Sequence, residues 1–416
     1  MTCSNSNFQS VPAFVTINIT EDVFDIDLSK NNISTIDDGA FTMLLVQAFA
    51  DIELDLSQNI LKNISQEAFE TVNKNIVYLD LSGNRLVTVP SSITNLGRLQ
   101  TLLIVGNPLK MIDPTVFASI GKTLQRLSLN MSSLVFWPNS LKTLVALQEL
   151  DVSGLTFSDI PKDAFEGFKN TLLELRIQDS YLPRLPASIC LLTNVFEIEL
   201  NSCYIDNSTL QCDSPVSSVI DLTMNNCNLT RFPDMLSVFS SLQSLQITNN
   251  RISDVEGFVI PINHPLNQLN MAFNRLTNIP FALTKLKNIE QLNLNFNRIL
   301  AVQFNDLRNF TELTYLELNS NGIEKVSDDS FKLNQKLHEI NMSGNKITTI
   351  PSSVKALKNL EYFDLSFNNI KCSCSNMHPV KGWNMPSNLA LFGDCNSEGK
   401  SGSLMTYIQI YLRFCF

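Results

Sequence analysis

The chain has 416 residues, 44% apolar and 17% charged, with 30 basic residues against 40 acidic ones and a net charge of −10. That balance is far from a disordered, charge-rich composition and lacks the basic footprint of a nucleic-acid binder. Glycine is scarce at 14 while asparagine reaches 46, so phosphate-cradling loops have little material and asparagine has a recurring structural task.

At the start, Met1 is followed by polar residues and Cys3, with neither a basic nor an apolar leader region, so no signal peptide is expected. No stretch reaches the ~18 apolar residues of a membrane helix. The most apolar segment, 404–416, is interrupted by Thr406, Gln409 and Arg413. Together with the cysteines and glycosylation sequons below, this suggests a trimmed piece of a longer chain. Any membrane attachment would come through a segment absent from this one.

From residue 23 the chain repeats. Ile26-Asp27-Leu28-Ser29-Lys30-Asn31, Leu54-Asp55-Leu56-Ser57-Gln58-Asn59 and Leu79-Asp80-Leu81-Ser82-Gly83-Asn84 share an L-x-L-x-x-N core. The pattern continues at Asn107, Ser132, Leu155, Ser180, Cys203, Cys227, Asn250, Asn274, Asn297, Asn321, Asn345 and Asn368, giving 15 repeats spaced 23 to 28 residues apart. A period this regular marks a stacked array. The two apolar residues around one variable position alternate as in a strand, so they point inward and the variable residue points out. The asparagine closing each strand is expected to be buried, its amide satisfying backbone groups of neighbouring coils. The far side of most repeats carries Phe ten residues after the ladder position (Phe41, Phe69, Phe117, Phe165, Phe331) or Pro six residues after it (Pro90, Pro138, Pro161, Pro186, Pro233, Pro280, Pro351), with both after Leu155. The phenylalanines should fill the interior, and the prolines favour short 3₁₀ or extended segments over long helices.

This pattern resembles the leucine-rich repeat across essentially the whole chain. The resemblance implies an α/β solenoid, a leucine-rich-repeat horseshoe of about 15 coils with a parallel β-sheet on its concave face. It also implies binding of other molecules, commonly proteins, through that face or its flanks. The expected boundaries are 1–22 for a remnant N-terminal cap that includes Cys3, 23–369 for the array and 370–416 for a C-terminal cap.

Two cysteine pairs lie within the array. Cys190 is ten residues after Ser180, and Cys212 is nine after Cys203. Adjacent coils stack ~4.8 Å apart, close to the ~5.5 Å Cα separation of a disulfide, so a Cys190–Cys212 bridge is expected. Cys203 and Cys227 occupy ladder positions and are read as buried thiols.

The outward strand positions, six and four residues before the ladder, hold fourteen acids and only two bases, Arg126 and Arg176. Glu174, Glu197, Glu199 and Asp221, on three successive coils, form the densest cluster. It is either a plain solvated surface or a field steering a partner with a basic surface. Further along, the strip changes to Ser244, Gln246, Gln268, Asn270, Gln291 and Asn293, with Phe273 and Phe296 just before their ladder residues. Amides beside aromatics suit protein recognition, although Phe at that position is also frequent in this repeat type. Eight N-x-S/T sequons occur, at Asn18, Asn32, Asn63, Asn130, Asn207, Asn228, Asn309 and Asn341, none of them a ladder asparagine. Asn130 and Asn341 lie on the strands, where a glycan would spoil the docking surface.

Beyond Asn368, Cys372, Cys374, Cys395 and Cys415 are spaced like the C-terminal cysteine cap of extracellular leucine-rich-repeat proteins such as Toll-like receptors and Slit-like proteins. In that family the pairing implies Cys372–Cys395 and Cys374–Cys415. A zinc site of Cys372, Cys374, Cys395 and His378 is the alternative, with C-x-C fitting the common C-x₂₋₄-C spacing poorly. Catalysis has little support. There are three histidines, and neither G-x-S-x-G nor H-E-x-x-H occurs. Gly399-Lys400-Ser401 is superficially similar to a phosphate loop, but Asp394 stands where the loop glycine would be.

The expectation is therefore an extracellular recognition module without enzymatic activity or cofactor, secreted or a cell-surface ectodomain. Its partner would be a protein ligand or co-receptor, bound by one copy or two, and not nucleic acid. A matrix or adhesion protein similar to small leucine-rich proteoglycans, and an intracellular scaffold or inhibitor, are the alternatives.

Overall fold

The computed structural model describes residues 1–13, 17–19, 22–46, 50–157, 160–207, 209–255, 260–397, 400–410 and 415. Two compact units emerge, Met1–Ser218 and Val219–Phe416. Each is an α/β leucine-rich-repeat solenoid. The first carries eight parallel strands: Val23–Asp27, Asp51–Asp55, Ile76–Asp80, Thr101–Ile104, Arg126–Asn130, Glu149–Ser153, Glu174–Gln178 and Glu197–Asn201. The second carries Asp221–Thr223, Ser244–Gln246, Gln268–Asn270, Gln291–Asn293, Tyr315–Glu317, Glu339–Asn341 and Tyr362–Asp364. All fifteen expected repeats thus supply a strand. An eighth strand of the second unit comes from the C-terminal segment, where Ala390–Phe392 pairs parallel to Tyr362–Asp364. No repeat marks that strand in the sequence.

Registers align leucine on leucine, as in Leu245↔Leu269↔Leu292↔Leu316, so the inward residues form continuous apolar rows. The ladder asparagines then close each turn. Asn274 donates through Nδ2 to Ile247 O at 2.9 Å and Met271 O at 3.0 Å, and its Oδ1 accepts from Ile252 N at 3.0 Å. Asn59, Asn84 and Asn107 repeat this set in the first unit, and Asn297, Asn321 and Asn345 in the second. Ser132 departs from the expectation. It is exposed, because Met131 takes the interior and Asn130 Oδ1 holds the Ser132 amide and hydroxyl at the surface.

Opposite the strands, the five phenylalanines of the Phe-type repeats are all buried. Pro90, Pro138, Pro186, Pro280 and Pro351 each precede a five-residue 3₁₀ helix, and each proline carbonyl accepts the first turn's hydrogen bond. Their locked φ suits that entry. Pro161 and Pro233 do not start helices; Pro161 opens a turn closed by Ala164 N, 2.9 Å from its carbonyl. The longest helix among the described residues, Pro114–Ile120, has seven residues and is capped by Asp113. Among the described residues no helix is long and apolar enough to cross a membrane.

The N-terminal residues finish the first coil. Cys3 N bonds Asp27 O, and Asn31, which has no preceding repeat to serve, donates to Cys3 O and accepts from Ser6 N and Phe8 N. The final coil is covered by Met377, Val380, Trp383, Leu391 and Leu404, all buried.

Candidate functional site

The cysteines sit as disulfides Cys190–Cys212, Cys372–Cys395 and Cys374–Cys415, with Cα separations of 5.4, 5.1 and 5.3 Å. The bridges consume the three thiolates that the zinc alternative requires. Cys203 and Cys227 are buried and outside any disulfide, donating to Ile177 O at 3.2 Å and Asn225 O at 3.3 Å. Cys3 is also outside any disulfide.

The histidines do not converge. His264 is 3% exposed, with Nε2 bridging Leu236 O and Phe239 O at 3.1 Å and Nδ1 accepting from Leu266 N at 3.3 Å. Burial lowers its pKa against those two carbonyl bonds, so it is a structural, neutral imidazole. His338 is half-buried and bonds Lys336 O, and His378 opens the short 3₁₀ turn His378–Val380.

In the first unit, the acidic cluster is organised around a cation. Arg176 reaches Glu174 at 2.5 Å, Glu199 at 3.2 Å and Glu197 at 3.8 Å. The guanidinium sits in the middle strand of three in register, so it neutralises much of what the sequence presents as a bare acidic patch. Burial, together with a hydrogen bond to Glu199 and its repulsion, pushes the Glu197 carboxyl above the usual range. Arg126 likewise pairs with Glu149 at 3.2 Å. Asp221, the fourth residue of the expected cluster, is half-buried in the second unit.

In the second unit, Gln246, Gln268, Asn270, Gln291 and Asn293 come together as expected. They line a groove of about 330 Å³ with Ser244, closed at one side by Tyr315 and Glu317, while Leu245, Leu269 and Leu292 form its floor. Asn270 and Asn293 brace their own strand ends, their Oδ1 atoms accepting from Ala272 N and Asn295 N. Among the described residues no hydrogen bond engages the side chains of Gln246, Gln268 or Gln291, so six amide donors and three acceptors remain for a ligand. Glu317 is the one charge in the groove. Burial, opposed by hydrogen bonds from Asn295 and Asn341, raises its pKa. Sequence reading missed Tyr315 and Glu317 because they belong to the next coil, and the amide run alone gives no width for the groove.

Phe273 and Phe296 do not line the groove. They stack on each other beside it, ring centroids 4.2 Å apart at an interplanar angle of 6°, and both carry a positive φ.

Among the sequons, Asn32 and Asn63 are exposed, whereas Asn228, Asn309, Asn130 and Asn341 are half-buried. Asn130 and Asn341 each bind the hydroxyl of their own sequon serine, Ser132 or Ser343. Asn18 and Asn207 lie in the strands Ile17–Ile19 and Tyr204–Asn207, and their side chains are outside the described residues.

The leucine-rich-repeat family model matches residues 53–109, 240–299 and 311–370. Human leucine-rich repeat-containing protein 66 is 38% identical over 112 residues, covering 26% of this chain and 13% of that protein. Rat osteomodulin is 27% identical over 190 residues, covering 39% and 44%, and human lumican 30% over 162 residues, covering 38% and 46%. The chain thus spans less than half the length of each of these relatives. Among solved structures, a leucine-rich-repeat protein of Leptospira interrogans superposes with a TM-score of 0.69 at 19% identity, covering 94% of this chain and 95% of that one. Mouse RP105, solved in complex with MD-1, gives 0.61 at 18% identity with 89% and 63% coverage. Drosophila Toll, solved in complex with Spatzle, gives 0.60 at 14% with 92% and 59%. At these identities the likeness is one of fold.

Proposed function

We propose that this leucine-rich-repeat chain is an extracellular protein-recognition module, the ligand-binding ectodomain of a receptor or a secreted protein of the same build, which takes its protein ligand in the amide groove of the second unit. In this reading residues 370–416 act as the cap of the array. The observation that carries it is the groove itself: on three successive coils the acidic strip gives way to amides, and among the described residues the side chains of Gln246, Gln268 and Gln291 engage no hydrogen-bond partner. Such groups pair readily with the backbone and polar side chains of a docked segment, and the exposed Tyr315 ring at one side supplies apolar contact. Three disulfides support an oxidising compartment, where such bonds persist. RP105 and Toll, of like fold, are solved with protein partners, which supports a protein ligand here.

The test uses the chain secreted from a eukaryotic host, screened by surface interferometry against an array of secreted and cell-surface ectodomains. Gln268→Lys with Asn293→Lys fills the groove with charge and length, and should abolish the interaction with any genuine partner. If every partner found binds the double variant as it binds the parent, the groove is not the site.

A further inference from the structure

The residue that follows each ladder position lies on the outer lip of its coil, next to the strand end. In the second unit this column reads Arg251, Arg275 and Arg298 on three successive coils, after Asn250, Asn274 and Asn297. Their backbones are tied coil to coil in one register, Arg251 N to Leu229 O, Arg275 N to Ile252 O and Arg298 N to Leu276 O, all at 2.8 or 2.9 Å. All three are exposed. The ion pairs among the described residues use Arg98, Arg126 and Arg176 but none of these three. Farther along the column Gly322 interrupts it, and Lys346 is paired with Glu324.

A second observation is independent of the first. On these three successive coils the outward strand positions carry no charge, being Ser244, Gln246, Gln268, Asn270, Gln291 and Asn293; elsewhere only the single coil of Thr101 and Leu103 shares that neutrality. An otherwise acidic array therefore has one window in which the negative strip is absent and three uncompensated guanidinium groups are present. Between the two columns lies the Phe273–Phe296 stack, 50% and 44% exposed, an apolar rail parallel to the arginine row.

We propose that this lip binds a linear anionic polysaccharide, with Arg251, Arg275 and Arg298 each holding a sulfate or carboxylate group and the phenylalanine edges contacting the sugar rings. Guanidinium forks match planar and tetrahedral oxyanions. Coil spacing sets the arginines ~4.8 Å apart. An extended acidic peptide repeats its same-face side chains every ~6.7 Å, which falls out of step by the third arginine, whereas a sugar chain advances by about one ring per anionic unit. Single-stranded nucleic acid would seek aromatic faces for its bases, and here the facing surfaces of the two rings are occupied by each other. The proposal is independent of the protein-recognition reading and stands whether or not the groove takes a protein.

The experiment is fluorescence polarisation with a labelled heparin-derived octasaccharide and the full chain at two salt concentrations. Binding should weaken with salt. In the R251Q/R275Q/R298Q variant it should fall by roughly tenfold or more, as three charge-assisted contacts are lost, while R85Q, at the same phase in the first unit, leaves it unchanged. Since the three side chains are exposed and unpaired, the triple variant should melt at the parental temperature. Absence of octasaccharide binding overturns the proposal, as does parental affinity in the triple variant. Equal or tighter arginine-dependent binding of a polyglutamate peptide or of oligo-dT overturns it in favour of an acidic protein or a nucleic acid.

Discussion

One backbone feature recurs at the scale of single residues. The position just before the ladder residue has a positive φ in fourteen coils, and its occupants include Lys30, Gln58, Asp179, Ser202 and Asn249 as well as Gly83, Gly106, Gly154 and Gly344. Left-handed backbone costs a non-glycine residue ~1–2 kcal/mol, and it is rarest for bulky side chains, yet Phe273, Phe296 and Phe367 adopt it. The chain must turn there so that the next side chain can aim inward, and the ladder hydrogen bonds offset the cost. This explains how so few glycines suffice. The exception, Met131, is where the ladder itself breaks at Ser132.

His264 is the residue whose chemistry makes the sharpest prediction at this scale. Asn334 does the same work elsewhere, donating to Leu307 O at 2.9 Å and Phe310 O at 2.8 Å, so asparagine is the natural replacement. The folded pKa of His264 is depressed by burial, so protons bind preferentially to the unfolded chain. Its contribution is complete above the ordinary histidine pKa of about 6.5, and is lost as pH falls through that value towards the folded one. The denaturation midpoint of the parent should drop more than that of His264→Asn between pH 7.5 and 5.5. Parallel profiles would refute the assignment of a neutral buried imidazole.

At the scale of the coil, stability resides in side chains that serve two repeats at once. Asn274 satisfies groups on its own strand end, on the preceding coil and at Ile252. Asn274→Ala leaves several buried backbone groups unsatisfied, and the expected loss is on the order of 1–3 kcal/mol, read as a lower urea midpoint. A loss below ~0.5 kcal/mol, the bottom of the range for a net intramolecular hydrogen bond, would mean that water replaces the amide and that the ladder is ornamental. Ladder sites, convex phenylalanines and the proline-led 3₁₀ turns were all legible from phase alone. The fate of Pro161, Pro233 and Ser132 was not, because a local competitor decides each: a turn, irregular backbone, or a neighbouring methionine that takes the interior.

At the scale of the whole molecule, two disulfides with nearly equal loops allow a controlled comparison. Cys190–Cys212 and Cys372–Cys395 close 22 and 23 residues, so chain entropy gives each about 3 kcal/mol. Only the second ties down the segment that covers the last coil. C372A/C395A should therefore lower the melting temperature more than C190A/C212A, and equal shifts would show that covering the terminal coil adds nothing beyond loop closure. The −10 charge is also resolved at this scale. Acids are concentrated on the strand faces, partly neutralised by Arg126 and Arg176 in the first unit, and absent from three coils of the second.

By itself the sequence determined the coil number, which residues face inward, and which cysteines lie a coil apart, because a stacked repeat converts sequence period directly into neighbour contacts. It also singled out the amide run from Gln246 to Asn293 as different from its surroundings. Tertiary structure alone decided that Arg176 sits amid the glutamates, that Tyr315 and Glu317 complete the groove, that Phe273 and Phe296 stack on each other, and that residues 390–392 add a strand to the end of the sheet. These outcomes depend on side-chain reach between coils about two dozen residues apart and on a segment outside the period, where the repeat carries no information.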